Sequence, residues 1–185
     1  MKNILRILAL ALVMGLSACA TTPPPVRLAI AQTDRGVVIW LPDNVLFEFG
    51  SSQLSPAADD YLKQVADLAR NQTQEVLSLE GHTDNVGSAD FNQALSLKRA
   101  DAVVAALARL GVPAERLLAV GRGLSSPLAP NDTELGRKLN RRVEIVVLNE
   151  TVAHLTTGMP ENRFEDAFQR LKKELGDQVE ARGFR

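Results

Sequence analysis

Two side chains of opposite charge, Asp84 and Arg99, have the types and spacing to form a binding site. Asp84 follows a predicted strand, and Arg99 falls in the middle of the apolar stripe of the next predicted helix. A guanidinium on the core-facing side of a helix is costly unless an anion meets it. The pair therefore fits either an internal salt bridge or a pocket for a ligand that carries both an ammonium and a carboxylate.

The helix that presents Arg99 is predicted from Ala89 to Leu110, because Gly111 and Pro113 stop it. Asn92 lies on the edge of its apolar stripe. On a helical wheel the stripe itself consists of Phe91, Leu95, Ala102, Val103, Ala106 and Leu110.

Strands and helices alternate along the rest of the domain. Apolar, β-branched segments predict strands at residues 37–41, 45–49, 75–80, 117–121 and 142–148. The turn Pro42-Asp43-Asn44 makes the first two look like a hairpin. Ser55 is expected to cap a helix that begins at Pro56 and ends near Asn71. This alternation predicts an α/β (α+β) fold, in which a mixed sheet is covered by helices.

The composition excludes several classes of protein. Lys and Arg total 21 against 22 Asp and Glu, and the two signs are well mixed, so a nucleic-acid footprint is not expected. Aromatic residues make up 4% of the chain, which argues against base-stacking platforms. The single cysteine, Cys19, excludes an intramolecular disulfide.

The N-terminus has the order of a secretory signal. Lys2 and Arg6 precede an apolar run over residues 7–16, which is too short to span a bilayer stably. The run closes with Leu16-Ser17-Ala18-Cys19, which resembles the lipobox of bacterial lipoproteins, although an ordinary signal peptide could also end near a cysteine. We expect a signal peptide at 1–18, lipidation (a palmitate-type anchor) at Cys19, and a proline-rich tether within 19–36.

The composition changes again after the last predicted strand. Residues 150–185 form an extension in which apolar residues recur at helical spacing between 161 and 180, and these are Phe164, Phe168, Leu171, Leu175 and Val179. An amphipathic helix is predicted there. It would either pack back on the domain or remain available to a protein partner.

Several motifs between residues 37 and 149 occur in order with compatible spacing. They are Gly81-His82-Thr83-Asp84, Asn92, the segment from Leu95 to Ala100, Gly121-Arg122-Gly123, and the segment from Asn140 to Glu144. In these motifs the chain resembles an OmpA-like peptidoglycan-binding domain. With the lipobox in front, it is similar to peptidoglycan-associated outer-membrane lipoproteins.

The resemblance implies a small mixed sheet with helices on one side and non-covalent binding of diaminopimelate in the peptide stem of peptidoglycan. It assigns the acidic binder to Asp84, the arginine to Arg99 and the helix asparagine to Asn92. The family commonly has an acidic residue near Gly50, which this chain lacks. The full expected ligand-binding set is Asp84, Arg99, Asn92, Phe49, Gly50, Ser51, Thr83 and Arg142, the last in a rim or structural role.

Catalysis is not expected, because no paired carboxylates and no nucleophile with a placed base stand out. Glu80 and His82 share a strand face, but two ligands do not make a closed metal site, and His82 is expected to make a structural hydrogen bond. No cofactor or metal is predicted. Two functions stay open: a lipoprotein that links the outer membrane to the cell wall and faces the periplasm, or a regulatory lipoprotein whose domain engages a periplasmic protein.

Overall fold

A computed structural model describes residues 26–48 and 50–175 of the chain. The predicted signal peptide, Cys19, most of the proline-rich segment and Phe49 lie outside the described residues, as does the end of the predicted C-terminal helix. Among the described helices, none is both long and apolar enough to cross a bilayer.

The predicted mixed sheet is confirmed, and it has six strands in the order β4-β3-β5-β2-β1-β6. The antiparallel pairs are β1 with β2, β2 with β5, and β3 with β5, whereas β3–β4 and β1–β6 are parallel. The strands are β1 Leu28–Thr33, β2 Gly36–Pro42, β3 Leu77–His82, β4 Leu117–Gly123, β5 Arg142–Leu148 and β6 Phe164–Asp166.

Two long helices accompany several short ones. The α-helices are α1 Asp43–Leu46, α2 Ala58–Asn71, α3 Ala89–Arg109, α4 Glu134–Asn140, α5 Val152–Leu155 and α6 Ala167–Leu175, with 3₁₀ turns at Ala114–Arg116 and Glu161–Arg163. The predicted bounds of α3 are close to those observed. Its N-terminus is capped by the Ser88 hydroxyl, which accepts a hydrogen bond from the Phe91 backbone N–H.

Side chains that alternate along the strands contribute to two separate apolar clusters, one on each face of the sheet. On one sheet face, residues such as Ile39, Leu79 and Ile145 pack against α2 and α3 and form the main core. On the other face, a smaller cluster around Trp40 and Val146 is covered by Leu139 of α4 and by Ala167 and Leu171 of α6. The long helices therefore lie on one side, as the fold class requires, and α6 closes part of the opposite side.

The predicted hairpin of 37–41 with 45–49 is wrong. Residues 43–46 form α1, and Phe47 makes only an isolated bridge to Leu54. Both edges of β2 are already paired, with β1 on one side and β5 on the other, so a further strand has no ladder to join.

The start of the domain also differs from expectation. Residues 28–36, assigned above to the tether, lie in the sheet and its first turn, because Leu28 and Ile30 face the main core while Ala29 and Ala31 face the smaller cluster. Residues 28–31 are buried on both faces of the sheet, so this segment packs as part of the domain.

The predicted cap of α2 is displaced as well. The helix begins at Ala58, and the Ser55 hydroxyl donates to the Val45 carbonyl at 2.6 Å instead of capping it. Ser55 thus ties the loop before α2 to α1.

The buried side of α3 is rotated about the helix axis relative to the apolar stripe that the helical wheel predicts. Phe91 is 59% exposed, and the buried residues are Asn92, Ser96, Arg99, Ala100, Val103, Ala106 and Leu107. The cause is close packing on β3, since a Cβ at Gly81 would lie 2.1 Å from the Ser96 carbonyl oxygen. A glycine on the strand lets the backbone of α3 approach closely at Ser96, so that this side of the helix faces inward while Phe91 faces outward.

The described part of the C-terminal extension, which ends at residue 175, is only partly helical. Phe164 to Asp166, expected in the helix, form the edge strand β6 beside β1. The helix itself begins at Ala167, and burial of Ala167 and Leu171 supports the interpretation that it packs back on the domain.

Candidate functional site

The register of the sheet brings three chain segments together beyond the ends of their strands. Arg142, the first residue of β5, pairs with Pro42 on one side and with His82 on the other. Since both partners run antiparallel to β5, the residues that follow them meet the residue that precedes Arg142. Asp43, Asp84 and Arg141, distant in sequence, are thereby placed at one sheet end.

These segments line an open cavity of about 910 Å³, here called the sheet-end pocket. Loop 47–57 and the N-terminal turns of α3 form its other walls. Five of the predicted site residues line it, and they are Gly50, Thr83, Asp84, Asn92 and Arg99.

Arg99 lies at the base of this pocket and is 3% exposed. Its Nη1 is 2.8 Å from Asp43 Oδ1 and its Nη2 donates to Asp43 Oδ2 at 3.2 Å, while Nε donates to the Ser51 carbonyl at 3.1 Å. The guanidinium also lies over the ring of Phe47, 5.2 Å from its centroid. The anion that the buried Arg99 requires is therefore Asp43, a residue that the sequence analysis assigned only to a turn.

Asp84 has a different partner. Its Oδ2 accepts a hydrogen bond from Arg141 Nη1 at 2.6 Å, and its Oδ1 accepts one from the Val86 backbone N–H at 3.0 Å. Arg141 in turn donates to Glu134 at 3.2 Å. Asp84 and Arg99 do not form a salt bridge with each other, and the pocket holds two neighbouring ion pairs instead.

Burial and charge act in opposite directions on these groups. Burial raises the pKa of Asp43 and outweighs the lowering effect of Arg99 and Arg141. Burial likewise lowers the pKa of Arg99, against the attraction of Asp43. For Arg141, burial alone would lower the pKa, but hydrogen bonds to Asp84 and Glu134 prevail and raise it. The inner pair is thus less well compensated than the outer one.

Two polar residues of the pocket have contrasting surroundings. The Asn92 amide, 2% exposed, donates to the Val86 carbonyl at 2.9 Å and so holds the loop that follows Asp84. The Thr83 hydroxyl is buried, and no described residue supplies it with a hydrogen-bond partner. Because an unsatisfied buried hydroxyl is unfavourable, Thr83 is available to a ligand.

Three consecutive residues of the expected ligand-binding set, at positions 49–51, belong to the loop after α1. Phe49 lies outside the described residues. Gly50 lines the pocket with φ +66°, a left-handed conformation that favours glycine, and Ser51 contributes its backbone carbonyl to Arg99.

Arg142 does not reach the sheet-end pocket, so its expected place at the rim is wrong. Strand alternation turns it to the opposite sheet face, where it is 2% exposed and its Nε donates to Glu144 at 2.7 Å. The structural alternative for Arg142 agrees with this burial. His82 lies on the same face with both ring nitrogens lacking a partner among the described residues, so its expected hydrogen bond in the turn is also wrong.

Sequence reasoning missed several residues of the pocket, among them Asp43, Phe47, Glu134 and Arg141. The position of Arg141 could have been predicted from the alternation of β5. Because Val143 and Ile145 must face the core, Arg142 faces the opposite side of the sheet. Arg141 then lies just beyond the end of the strand. The part played by Asp43 could not have been predicted, since it depends on the long-range register of β2 and β5. No cluster of metal-ligating side chains occurs in the described part of the chain.

Comparison with known proteins gives a consistent result. The OmpA family profile matches residues 46–141, a segment that contains Asp84, Arg99 and Arg141. The chain belongs to the OmpA family. It is 37% identical to the outer-membrane lipoprotein YfiB of Pseudomonas aeruginosa over 156 residues, which cover 77% of this chain and 93% of YfiB.

Solved OmpA-family relatives include two envelope proteins. The crystal structure of the peptidoglycan-associated lipoprotein of Burkholderia pseudomallei superposes with a TM-score of 0.51 at 34% identity, over 55% of this chain and 86% of that one. The cell wall anchor of the type VI secretion system of Pseudomonas aeruginosa superposes with a TM-score of 0.59 at 30% identity, over 66% and 87% of the two chains. The fold class is confirmed by these similarities.

Proposed function

We propose that this protein binds peptidoglycan non-covalently through the sheet-end pocket, and that a lipid on Cys19 holds it in the outer membrane with the domain facing the periplasm. The observation that carries the proposal is the juxtaposition, in one open pocket, of a carboxylate pair and a guanidinium pair that keep unused bonding capacity. OmpA-family membership and the similarity to a peptidoglycan-associated lipoprotein support it.

Diaminopimelate in a peptide stem presents an ammonium and a carboxylate at its free end. The Asp84 carboxylate can accept from the ammonium, because carboxylate oxygens accept more hydrogen bonds than the two that Asp84 receives from Arg141 and Val86. Arg99 can donate to the carboxylate, since a guanidinium carries more N–H donors than the three engaged with Asp43 and Ser51. The unpartnered Thr83 hydroxyl lies in the same pocket and supplies a further polar contact.

The pocket is also larger than one amino-acid side chain requires. Its volume of about 910 Å³ is in the upper range for small-molecule sites, so neighbouring parts of the peptide stem can enter with the diaminopimelate. Val86 and Phe91 are 64% and 59% exposed at its rim and provide apolar contact area for such a ligand. These features favour a peptide-bearing polymer over a free amino acid.

The direct test is co-sedimentation of the full chain with purified peptidoglycan sacculi, with free diaminopimelate as competitor. Each charge-assisted hydrogen bond contributes about 1.5–3 kcal/mol, so Asp84→Asn and Arg99→Gln should each weaken binding by about tenfold or more. Arg109→Gln, an exposed arginine at the end of α3, is the matched control and should bind normally. Normal sedimentation by both pocket variants, with native circular dichroism, would reject the proposal.

The lipid anchor is tested separately. Cys19→Ala should leave the protein in the soluble envelope fraction, because several acyl chains on one residue provide firm anchoring at about 0.8 kcal/mol per buried methylene. Membrane fractionation of cells expressing either form gives the answer, and a Cys19→Ala protein that stays in the outer membrane rules out this anchor.

A further inference from the structure

A second cavity lies on the sheet face opposite the two long helices. Its volume is about 450 Å³, within the range of small-molecule sites, and residues of β3, β5 and the loop after β4 form most of it. It has no lining residue in common with the sheet-end pocket. It is called the sheet-face pocket below.

The inner wall of the sheet-face pocket is built from fully buried charges. Glu80 is 2% exposed and accepts hydrogen bonds from Arg35, Arg122 and Ser78. Burial would raise the pKa of Glu80, but these hydrogen bonds lower it to about 2, so the group is ionised. Beside it, Arg142 is paired with Glu144.

The charges of the lining do not cancel. Three arginines, at positions 35, 122 and 142, face two carboxylates, at positions 80 and 144, which leaves one positive charge in excess. His82 adds none, because burial and nearby Arg142 lower its pKa to about 4. A ligand with a single negative charge would balance the pocket.

The excess charge lies where a ligand can reach it. The side chains of Arg35 and Arg122 are 49% and 39% exposed, whereas that of Glu80 between them is 3% exposed. Arg122 holds Glu80 through Nε at 2.8 Å, and no described residue accepts from either of its terminal nitrogens. A guanidinium with free terminal donors can bind a carboxylate.

A second, independent feature concerns His82, which also lines this pocket. It is 3% exposed, and neither ring nitrogen has a hydrogen-bond partner among residues 26–48 and 50–175. Its Nε2 is 3.7 Å from Glu144 Oε2, beyond hydrogen-bonding distance. A buried imidazole with unsatisfied nitrogens requires an explanation, and the anionic head of a bound ligand could accept a hydrogen bond from the N–H of the neutral ring.

The remaining walls are apolar. Val38, Val146, Pro127 and Leu128 line the cavity beside the charged groups. A ligand that fits both parts has one anionic head and a short aliphatic body.

We propose that the sheet-face pocket binds a carboxylate monoanion with a short apolar body, whose head is held by Arg122 and Arg35 and whose body lies against Val38 and Val146. A carboxylate suits the site better than a phosphate, because the pocket has one excess charge and a guanidinium fork matches a planar carboxylate. Such a carboxylate is either a free organic acid or the C-terminus of a peptide.

Isothermal titration calorimetry of the full chain in non-ionic detergent tests this, with detergent alone as blank. The probes are sodium butyrate, N-acetyl-trialanine and the C-terminal amide of N-acetyl-trialanine. Saturable heat with either acid, and none with the amide, is the expected result. Tighter binding of butyrate identifies a free acid as the source, and tighter binding of the peptide acid identifies a C-terminus.

Variants locate the site. Arg122→Gln should weaken binding by about tenfold, the usual loss for one charge-assisted hydrogen bond, while Arg109→Gln should bind normally. Ser125→Glu places a negative charge at the mouth and should weaken binding as much. Ser125 is exposed and its hydroxyl donates to the Arg122 backbone carbonyl, so this variant spares the buried charges and decides the question if Arg122→Gln misfolds.

The proposal is overturned by any of three results. One is the lack of saturable heat at about 10 mM of either acid, which exceeds a Kd of about 1 mM tenfold. Another is equal binding of the amide and the acid. The third is loss of binding in Arg99→Gln together with normal binding in Ser125→Glu, which would place the anion in the sheet-end pocket.

Discussion

Glu80 and Asp84 lie four residues apart on one strand and its extension, yet they have opposite surroundings. Glu80 is enclosed on the sheet face by Arg35, Arg122 and Ser78, and its side chain is 3% exposed. Asp84 lies at the sheet end, where its side chain is 10% exposed, bonds directly to Arg141 and lines an open pocket. The first carboxylate is saturated by its own protein, whereas the second keeps accepting capacity for a ligand.

The same contrast applies to the two buried arginines. Arg142 donates to Glu144 and to the backbone carbonyls of Asn140 and Ser126, which joins three segments of the chain. Arg99 is equally buried but lines a cavity of about 910 Å³. Burial alone therefore does not distinguish a structural charge from a binding one. Both arginines also line a cavity, so neither burial nor cavity access alone decides which role a charge has.

The largest expected effect is on stability at the sheet face. Arg142→Ala should lower the free energy of unfolding by about 3–5 kcal/mol, because it leaves Glu144 and two carbonyls without their buried partner. Urea titration followed by circular dichroism measures this. Arg141→Ala, whose side chain is 31% exposed, should cost no more than about 1 kcal/mol. Equal losses in the two variants would remove the distinction between the regions.

His82 should make stability depend on pH. Its pKa lies near 4 in the folded protein and 6.5 in the unfolded chain, so the unfolded state binds more protons between these values and stability falls as the solution is acidified. The expected loss between about pH 7 and pH 4.5 is on the order of 2–3 kcal/mol. In His82→Gln that part of the pH dependence should disappear. A variant with the same slope as the wild type would show that other groups cause it.

Arg99→Lys tests geometry at constant charge in the sheet-end pocket. Lysine cannot present two parallel donors, so sacculus binding should weaken by about tenfold, corresponding to about 1.4 kcal/mol. Co-sedimentation at several protein concentrations gives the ratio of dissociation constants. Lys98→Arg on the exposed side of the same helix is the control for altered surface chemistry. Undiminished binding by Arg99→Lys would mean that charge suffices.

The smallest effect, on Thr83, has opposite signs for stability and for binding. Thr83→Val removes a buried hydroxyl that lacks a partner in the described structure, so stability without ligand should be unchanged or higher by a few tenths of a kcal/mol. Binding to peptidoglycan should weaken by about fivefold, or about 1 kcal/mol. Thermal unfolding and co-sedimentation are both needed. A clear loss of stability would assign the hydroxyl a structural hydrogen bond.

Local patterns predicted the individual elements better than their contacts. The bounds of α3 and the alternation of β3 follow from periodicity and from the residues that end helices, which act over a few positions. The hairpin was wrong because strand pairing is a competition, and β1 takes the edge of β2 that the hairpin would have used. The buried side of α3 differs from the stripe on the helical wheel because Gly81 allows the backbone at Ser96 to pack closely against β3. This contact cannot be read from the sequence of α3 alone.

The sequence by itself determined that a carboxylate, Asp84, follows β3 and that a guanidinium, Arg99, lies on the inward side of α3, since both follow from local structure. Only the tertiary structure decided which charge meets which. Arg99 pairs with Asp43, 56 residues away, and Asp84 with Arg141, 57 residues away. Residues this far apart in sequence meet only because of the register of β5 between β2 and β3. Antiparallel pairing fixes which residues lie side by side at the end of the sheet.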